Sequence, residues 1–131
     1  YQEKVVANAQ FLAKRLVGYG FNLVSGGTDN HLILIDLRNK GITGCEAENV
    51  LGSIGLTVNK NAVPFDPQPA NVTSGIRIGT PAITTRGLGV SAMARVAQAI
   101  DLSLSYRKDE EKIKEAKKIV AELCYEFPLY V

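Results

Sequence analysis

Apolar residues recur at three-to-four-residue spacing in four segments of this chain, and the stretches between those four hold only short strand-like segments and loops. The first of them carries Val5, Ala9, Leu12 and Leu16. A helix of this kind must bury one face, and the short strands can form only a small sheet. The 131 residues suffice for one hydrophobic core. We therefore expect a single domain of the α/β class, with an α+β two-layer fold in which helices pack on one side of a small, mostly antiparallel sheet.

Local signals predict the element order helix, hairpin, helix, strand, long loop, strand and two helices. The hairpin joins a strand over 21–24 to a second strand over 32–37 through a turn over 25–30. The second strand is apolar on both faces, which is typical of a central strand. Thr43 and Glu46 have the spacing of a capping box and are expected to open the second helix.

The middle of the chain combines short strands with a long loop. A brief strand is expected over 56–58, followed by a loop over 59–74 in which three prolines disfavour regular structure. Residues 76–78, Ile-Arg-Ile, form the next expected strand, with a glycine on either side. Residues 80–81, Thr-Pro, have the pattern of a helix start, and Asp109 is the expected cap of the last helix.

Charge and cysteine patterns argue against several classes of protein. Lys and Arg number 15 and Asp and Glu 13, which gives a net charge of +2, and the two signs are mixed along the chain. A nucleic-acid-binding domain usually carries a basic excess on one face. Cys45 and Cys124 have no metal-ligand spacing, and no apolar run approaches the roughly 20 residues of a membrane span. We expect a reduced, soluble, cytoplasmic protein without a metal site and without a nucleic-acid or membrane partner.

The chain begins at Tyr1, inside a helical pattern with no Ser, Thr, Asp or Asn at its start. A natural domain rarely begins in this way. We therefore interpret residues 1–131 as a single domain that was cut from a longer protein and that starts inside a truncated helix. The alternative is a recombinant chain whose ends are disordered.

Arg77 is the strongest candidate for a binding residue. It lies between two isoleucines on a predicted strand, so its side chain should point away from theirs. A planar guanidinium held on a strand suits two-point binding of a carboxylate. The alternative is an arginine that pairs with a nearby Asp or Glu of the same chain.

Three further polar residues each have a structural alternative. Asn61 could offer a donor and an acceptor to a heterocycle, or it could simply serve a turn. Lys60 is most simply a solvated side chain, and the single histidine, His31, is most simply a structural hydrogen-bonding residue.

Several runs of residues, in this order and spacing, resemble serine hydroxymethyltransferase (glycine hydroxymethyltransferase), a pyridoxal-phosphate enzyme. The runs are Ser25–His31, Val58–Asn61, Pro64–Pro67, Thr73–Ala82, Thr85–Gly87 and Phe127–Tyr130. The proline-rich loop is similar to the bacterial type of the family. The agreement extends over nearly the whole chain, but Leu88–Ala92 lacks the acidic residues usual at this point of the family.

The resemblance covers the C-terminal small domain only, and it implies the fold of that domain in fold-type I pyridoxal-phosphate enzymes. The family's Schiff-base lysine follows a threonine run and a histidine in the large domain, and no lysine here has that context. The resemblance therefore implies that the large cofactor-binding domain is absent and that this chain holds no catalytic residue and is inactive alone. In the parent enzyme its partners would be the large domain of the same chain and a second subunit of a homodimer.

For the complete enzyme, the resemblance implies transfer of the hydroxymethyl carbon of serine to tetrahydrofolate, which yields glycine and 5,10-methylenetetrahydrofolate. Pyridoxal phosphate is the implied cofactor and tetrahydrofolate the co-substrate. Arg77 is implied to bind the α-carboxylate of serine or glycine, and Asn61 to hydrogen-bond the pteridine of folate. The other implied residues are Pro69, Ala70 and Asn71, which line the folate site, and Lys60 and Arg86, which have supporting roles.

Two functions of other classes stay open. A stand-alone module could bind a small carboxylate through Arg77 without a cofactor, and a purely structural or dimerisation domain would bind no ligand. A long upstream domain in the gene would favour the enzyme. A Met codon directly before Tyr1 would favour either of the two others.

Overall fold

The structure is a computed structural model that describes residues 2–24, 32–79 and 89–126. The helices in these ranges are α1 (Gln2–Gly18), α2 (Gly44–Ser53), α3 (Val90–Ser105) and α4 (Glu110–Glu126). The strands are β1 (Asn22–Leu23), β2 (Leu32–Asp36), β3 (Asn59–Asn61) and β4 (Gly75–Gly79). A short 3-10 turn, Arg38–Lys40, follows β2.

The strands form one antiparallel sheet in the order β1-β2-β4-β3. β2 lies inside this sheet, so its predicted central place is confirmed. Ile33 lies opposite Ile78 and Ile35 opposite Ile76, and all of these side chains are buried. Burial of such a side chain stabilises the fold by about 1.5–3 kcal/mol relative to exposure. Because side chains alternate along a strand, the residues between these isoleucines point to the other face.

Helices cover the face that carries the isoleucines. α1 contacts β1 and β2, and α2 contacts β3 and β4. α3 packs against the other helices, and its apolar stripe belongs to the same core cluster as the isoleucines. The stripe consists of Met93, Val96, Ala97, Ile100 and Leu104, all buried. The predicted α+β two-layer fold is therefore confirmed.

Two helix caps predicted from the sequence lie within the described residues, and both are present. Thr43 is the N-cap of α2, and its hydroxyl oxygen accepts a hydrogen bond of 3.2 Å from the Glu46 backbone N–H. The Glu46 carboxylate accepts in return from the Thr43 hydroxyl, also at 3.2 Å. At α4, Asp109 Oδ1 accepts from the backbone N–H groups of Glu111 and Lys112, at 3.0 and 3.4 Å. These bonds satisfy N–H groups that have no partner inside their own helix.

The strand predicted over 56–58 is wrong, and the loop predicted over 59–74 contains a strand instead. β3 covers Asn59–Asn61 and pairs with β4. Asn and Lys have little intrinsic preference for strands. The strand forms because β4 offers an edge across the loop, and because Glu48 Oε2 of α2 accepts a hydrogen bond of 2.8 Å from the Lys60 backbone N–H. Both partners are distant in sequence, so the local pattern does not contain them.

The other strand boundaries differ from the prediction by one or two residues. β1 covers only Asn22–Leu23, and β2 ends at Asp36. β4 includes Gly75 and Gly79, which the sequence analysis placed on either side of the strand. Backbone pairing with β2 extends over the glycines, which have no side chain to reveal it in the sequence.

Some predictions fall outside the described residues. These are the turn over 25–30, His31 and the helix start at Thr80–Pro81. Among the helices of the described ranges, none combines the length and the apolarity that a membrane crossing requires.

Candidate functional site

Arg77 lies near the middle of β4, which has a strand on each side. It is opposite Leu34 of β2 and opposite Asn59 of β3. Its neighbours Ile76 and Ile78 are buried against the helices, whereas Arg77 is exposed on the other face. The expected direction of its side chain is therefore observed.

The guanidinium of Arg77 has no carboxylate partner within the described ranges. The ion pairs present there join other residues, and none of the described Asp or Glu side chains lies within 4.0 Å of Arg77. This favours a group that binds an external anion over a local structural ion pair. A strand paired on both sides also holds the backbone of Arg77 in place.

Asn61 shares a face of the sheet with Arg77. Asn59 is directly opposite Arg77, and Asn61 lies two residues further along the same strand, opposite Gly75. Residues two apart on a strand point to the same side, and such diagonal neighbours are roughly 7–8 Å apart. Asn61 is partly exposed, and its Nδ2 donates a hydrogen bond of 2.9 Å to the Ala62 carbonyl. We call this surface, formed by Leu34, Asn59, Asn61 and Arg77, the Arg77 face.

Lys60 lies on the opposite face. It is paired with the buried Ile76, and its Nζ is 3.5 Å from Glu48 Oε1 of α2. The same carboxylate accepts from the Lys60 backbone N–H. Lys60 therefore ties β3 to α2 and does not share the Arg77 face.

The residues predicted to line a folate site lie in the connection between β3 and β4. Pro69, Ala70 and Asn71 are all exposed. The Pro69 carbonyl accepts hydrogen bonds from the backbone N–H groups of Val72 and Thr73, at 2.9 and 3.0 Å, which folds this segment into a turn. Arg86, the other predicted supporting residue, is outside the described residues.

Asp66 is a central residue of this connection that the sequence analysis missed. Its Oδ2 accepts from the backbone N–H groups of Val63 and Ser74, at 3.2 and 2.8 Å. Its Oδ1 accepts from the Gln68 backbone N–H at 2.9 Å and from the Ser74 hydroxyl at 2.7 Å. The signal available in the sequence was an Asp next to a proline, which is typical of turns that bond their own backbone.

These hydrogen bonds also set the charge state of Asp66. Partial burial alone would raise the pKa of the carboxyl. The Ser74 hydroxyl and the three backbone N–H groups act in the opposite sense and lower the pKa to about 2. Asp66 is therefore an ionised acceptor at neutral pH.

The same connection caps the start of α2. The backbone N–H of Gly44 donates to the Thr73 carbonyl at 3.0 Å, and that of Cys45 to the Val72 carbonyl at 2.9 Å. Thr73 is buried and has a φ of +61°. Its hydroxyl donates to the Gly75 carbonyl at 3.0 Å. The end of the connection is thus fixed both to α2 and to the start of β4.

In the described part of the chain, no three His, Cys, Asp or Glu residues come together in an arrangement that could hold a metal ion. Cys45 and Cys124 lie on two different helices and are not joined in a disulfide.

The fold and the Arg77 face define an α+β domain that presents a cationic side chain from an antiparallel sheet. The model of one family, serine hydroxymethyltransferase, matches residues 1–100. The chain therefore belongs to the serine hydroxymethyltransferase family, a transferase lineage that generally depends on pyridoxal phosphate. The matched residues include all the predicted site residues and end within α3.

Proposed function

We propose that this chain is the C-terminal small domain of a bacterial-type serine hydroxymethyltransferase. The complete enzyme would interconvert serine and glycine and transfer the one-carbon unit to tetrahydrofolate. One observation carries the proposal: in a chain of this family, Arg77 extends from the middle of the sheet with no described carboxylate partner. Such a group is free to bind the carboxylate of an amino acid.

The part of Arg77 in the reaction is to bind and to orient. Two parallel N–H···O bonds from a guanidinium fix both oxygens of a carboxylate and hold its plane. This also fixes the rotation of the bonds at the α-carbon, and so determines which of them is aligned for cleavage. Pairing on both sides of β4 keeps the donor in register during the reaction.

Folate would bind beside the amino acid. Asn61 offers an amide donor and acceptor on the same face as Arg77, and the exposed Pro69, Ala70 and Asn71 lie on the connection that follows it. Lys60 would support this arrangement from the other face, through its two contacts with Glu48. Arg86 keeps its proposed supporting role beyond the described residues.

The lysine nearest to Arg77 in the sheet does not fit the role of a Schiff-base residue. A Schiff-base lysine must share a pocket with the substrate carboxylate, but Lys60, on the strand next to Arg77, lies on the opposite face and pairs with Glu48. We infer that pyridoxal phosphate, which supplies the electron sink when bound, is held mainly by residues outside this chain. The chain alone would then be inactive.

The proposal also covers partners and location. Serine or glycine and tetrahydrofolate would be the ligands, and the large domain and a second subunit of a homodimer the protein partners. The parent enzyme would be cytoplasmic and would bind neither nucleic acid nor membranes.

The experiment is to replace Arg77 in the full-length enzyme by Ala and by Lys, and to titrate serine and glycine. Loss of a charge-assisted partner in a closed site costs about 2–5 kcal/mol of binding free energy. Arg77→Ala should weaken the binding of both serine and glycine by this amount, while cofactor content stays normal. Arg77→Lys should also bind poorly, because an ammonium cannot form the planar two-point contact.

Arg95→Ala is the matched control. Arg95 lies on α3 and pairs with Glu122 and Glu126 at 3.0 and 2.8 Å, away from the sheet. This variant should bind serine like the wild type. Normal serine binding by Arg77→Ala would overturn the proposed function.

A further inference from the structure

We propose that Asp66 is a positioning residue for folate, which holds Asn61 in place relative to Arg77 by closing the connection between β3 and β4. This inference rests on the proposed function. Asp66 itself would touch neither ligand.

The geometry of the carboxylate supports this role. Val63 follows Asn61 by two residues, and Ser74 precedes Arg77 by three. Asp66 Oδ2 accepts a hydrogen bond from the backbone N–H of each. One oxygen atom therefore joins the two ends of the connection, directly next to the strands that carry Asn61 and Arg77.

β3 needs such a restraint. It has only three residues, and within the described part of the chain it lies at the edge of the sheet and pairs with β4 alone. Its sequence, Asn-Lys-Asn, has no apolar alternation to fix its register, and a shift by one residue would move Asn61 to the opposite face. The link from Val63 to Ser74 through Asp66 counters that shift.

The backbone next to Asp66 has an unfavourable conformation, which indicates that these hydrogen bonds stabilise it. Phe65 has a φ of +57°, which an L-residue with a side chain rarely adopts, and its ring is 100% exposed. Burial of the ring therefore does not stabilise this conformation. The conformation is stabilised instead by the hydrogen bonds of Asp66 to residues on either side of the turn.

The rest of the fold does not depend on Asp66. β4 also pairs with β2 along its whole length, Ile76 and Ile78 are buried, and the Thr73 carbonyl is bound to α2. Asp66→Asn should therefore fold. It keeps the shape of the side chain, but it places an NH₂ group where one oxygen now accepts two hydrogen bonds, so two donors lose their partner.

The experiment compares full-length enzyme with Asp66→Asn and with Asp101→Asn. Asp101 is the matched control, because it too is an Asp whose carboxylate accepts a hydroxyl hydrogen bond, from Ser105 at 2.8 Å, but within α3. The readouts are KM for tetrahydrofolate, KM for serine, kcat, and the hydrogen-exchange rates of the amides of Val63, Gln68 and Ser74.

Asp66→Asn should raise the KM for tetrahydrofolate about 10-fold or more and leave the KM for serine and kcat at saturating folate unchanged. The three amides should exchange faster. Asp101→Asn should change none of these values.

An equal rise in both KM values would overturn the inference, because Asp66 would then support the domain in general. Faster exchange with an unchanged folate KM would overturn it too, because closing the connection would not place Asn61, while the Arg77 proposal would stand. A wild-type enzyme that binds serine but no folate would overturn this inference and the folate part of the proposed function together. In that case the exchange rates would still report whether Asp66 closes the connection.

Discussion

Gly44 and Thr73 approach each other so closely that position 44 has no room for a side chain. The Gly44 backbone N–H donates a hydrogen bond of 3.0 Å to the Thr73 carbonyl. A Cβ atom on Gly44 would lie 2.0 Å from Thr73 Oγ1 and 2.3 Å from the Gly75 carbonyl oxygen. The contact joins the first residue of α2 to the segment that leads into β4, and thus to Arg77.

Gly44→Ala should therefore destabilise the protein. The added methyl group must displace backbone as well as a hydroxyl, and such overpacking typically costs about 1–3 kcal/mol of unfolding free energy. Gly52→Ala in the same helix is the matched control, since a Cβ there meets nothing within 4 Å. It should stabilise the protein by up to about 1 kcal/mol through helix propensity. Urea unfolding measures both, and equal effects of the two substitutions would contradict the packing argument.

Phe65→Asn should stabilise the protein by about 1 kcal/mol, because Asn tolerates the left-handed backbone conformation better than Phe does. The exposed ring loses no buried contact when it is removed. Phe65→Ala is the control, because Ala keeps the backbone strain and should bring no such gain. Thermal unfolding distinguishes the two, and a loss of stability in Phe65→Asn would show that the ring contributes a contact.

Acid should weaken the protein partly through Asp66. Its pKa lies at about 2 in the fold, below the ordinary value of 3.8. The charged form is therefore favoured by folding, and its contribution is present above about pH 3.8 and lost as the pH falls towards about 2. Asp66→Asn should unfold with a flatter dependence on pH over this range. Parallel curves of unfolding midpoint against pH for the wild type and the variant would contradict this role of Asp66.

Asp36 should also make the protein less stable in acid. The Arg38 guanidinium, which donates hydrogen bonds to its carboxylate, lowers the pKa of this buried side chain. Its contribution is also lost as the pH falls below the ordinary range of an Asp. Asp36→Asn should therefore flatten the acid limb of the same unfolding curve. A variant that follows the wild type down to low pH would show that the ion pair with Arg38 does not stabilise the fold.

The isolated chain should not form a specific Schiff base with pyridoxal phosphate. Treatment with the cofactor followed by borohydride should label its lysines at random if at all, whereas the full-length enzyme should be labelled at one lysine. Peptide mapping by mass spectrometry checks this. Stoichiometric labelling of a single lysine in the isolated chain would contradict the proposed division of the cofactor site.

The sequence by itself determined the local features. The caps at Thr43 and Asp109, the apolar stripe of α3 and the direction of Arg77 all follow from spacing within a few residues. The family, inferred from short runs of residues, is confirmed by the match over residues 1–100.

Only the tertiary structure decided the conformation of β3 and of the connection between β3 and β4. The sequence of β3 is polar and predicts a loop, yet the segment becomes a strand because the edge of β4 and Glu48 of α2 lie next to it. The same pairing brings Asn61 to the face of Arg77 and sends Lys60 to the other side. Asp66 gathers donors from residues up to eight positions away. Hydrogen-bond partners of this kind are fixed by the folded backbone, and a residue's immediate neighbours in sequence do not specify them.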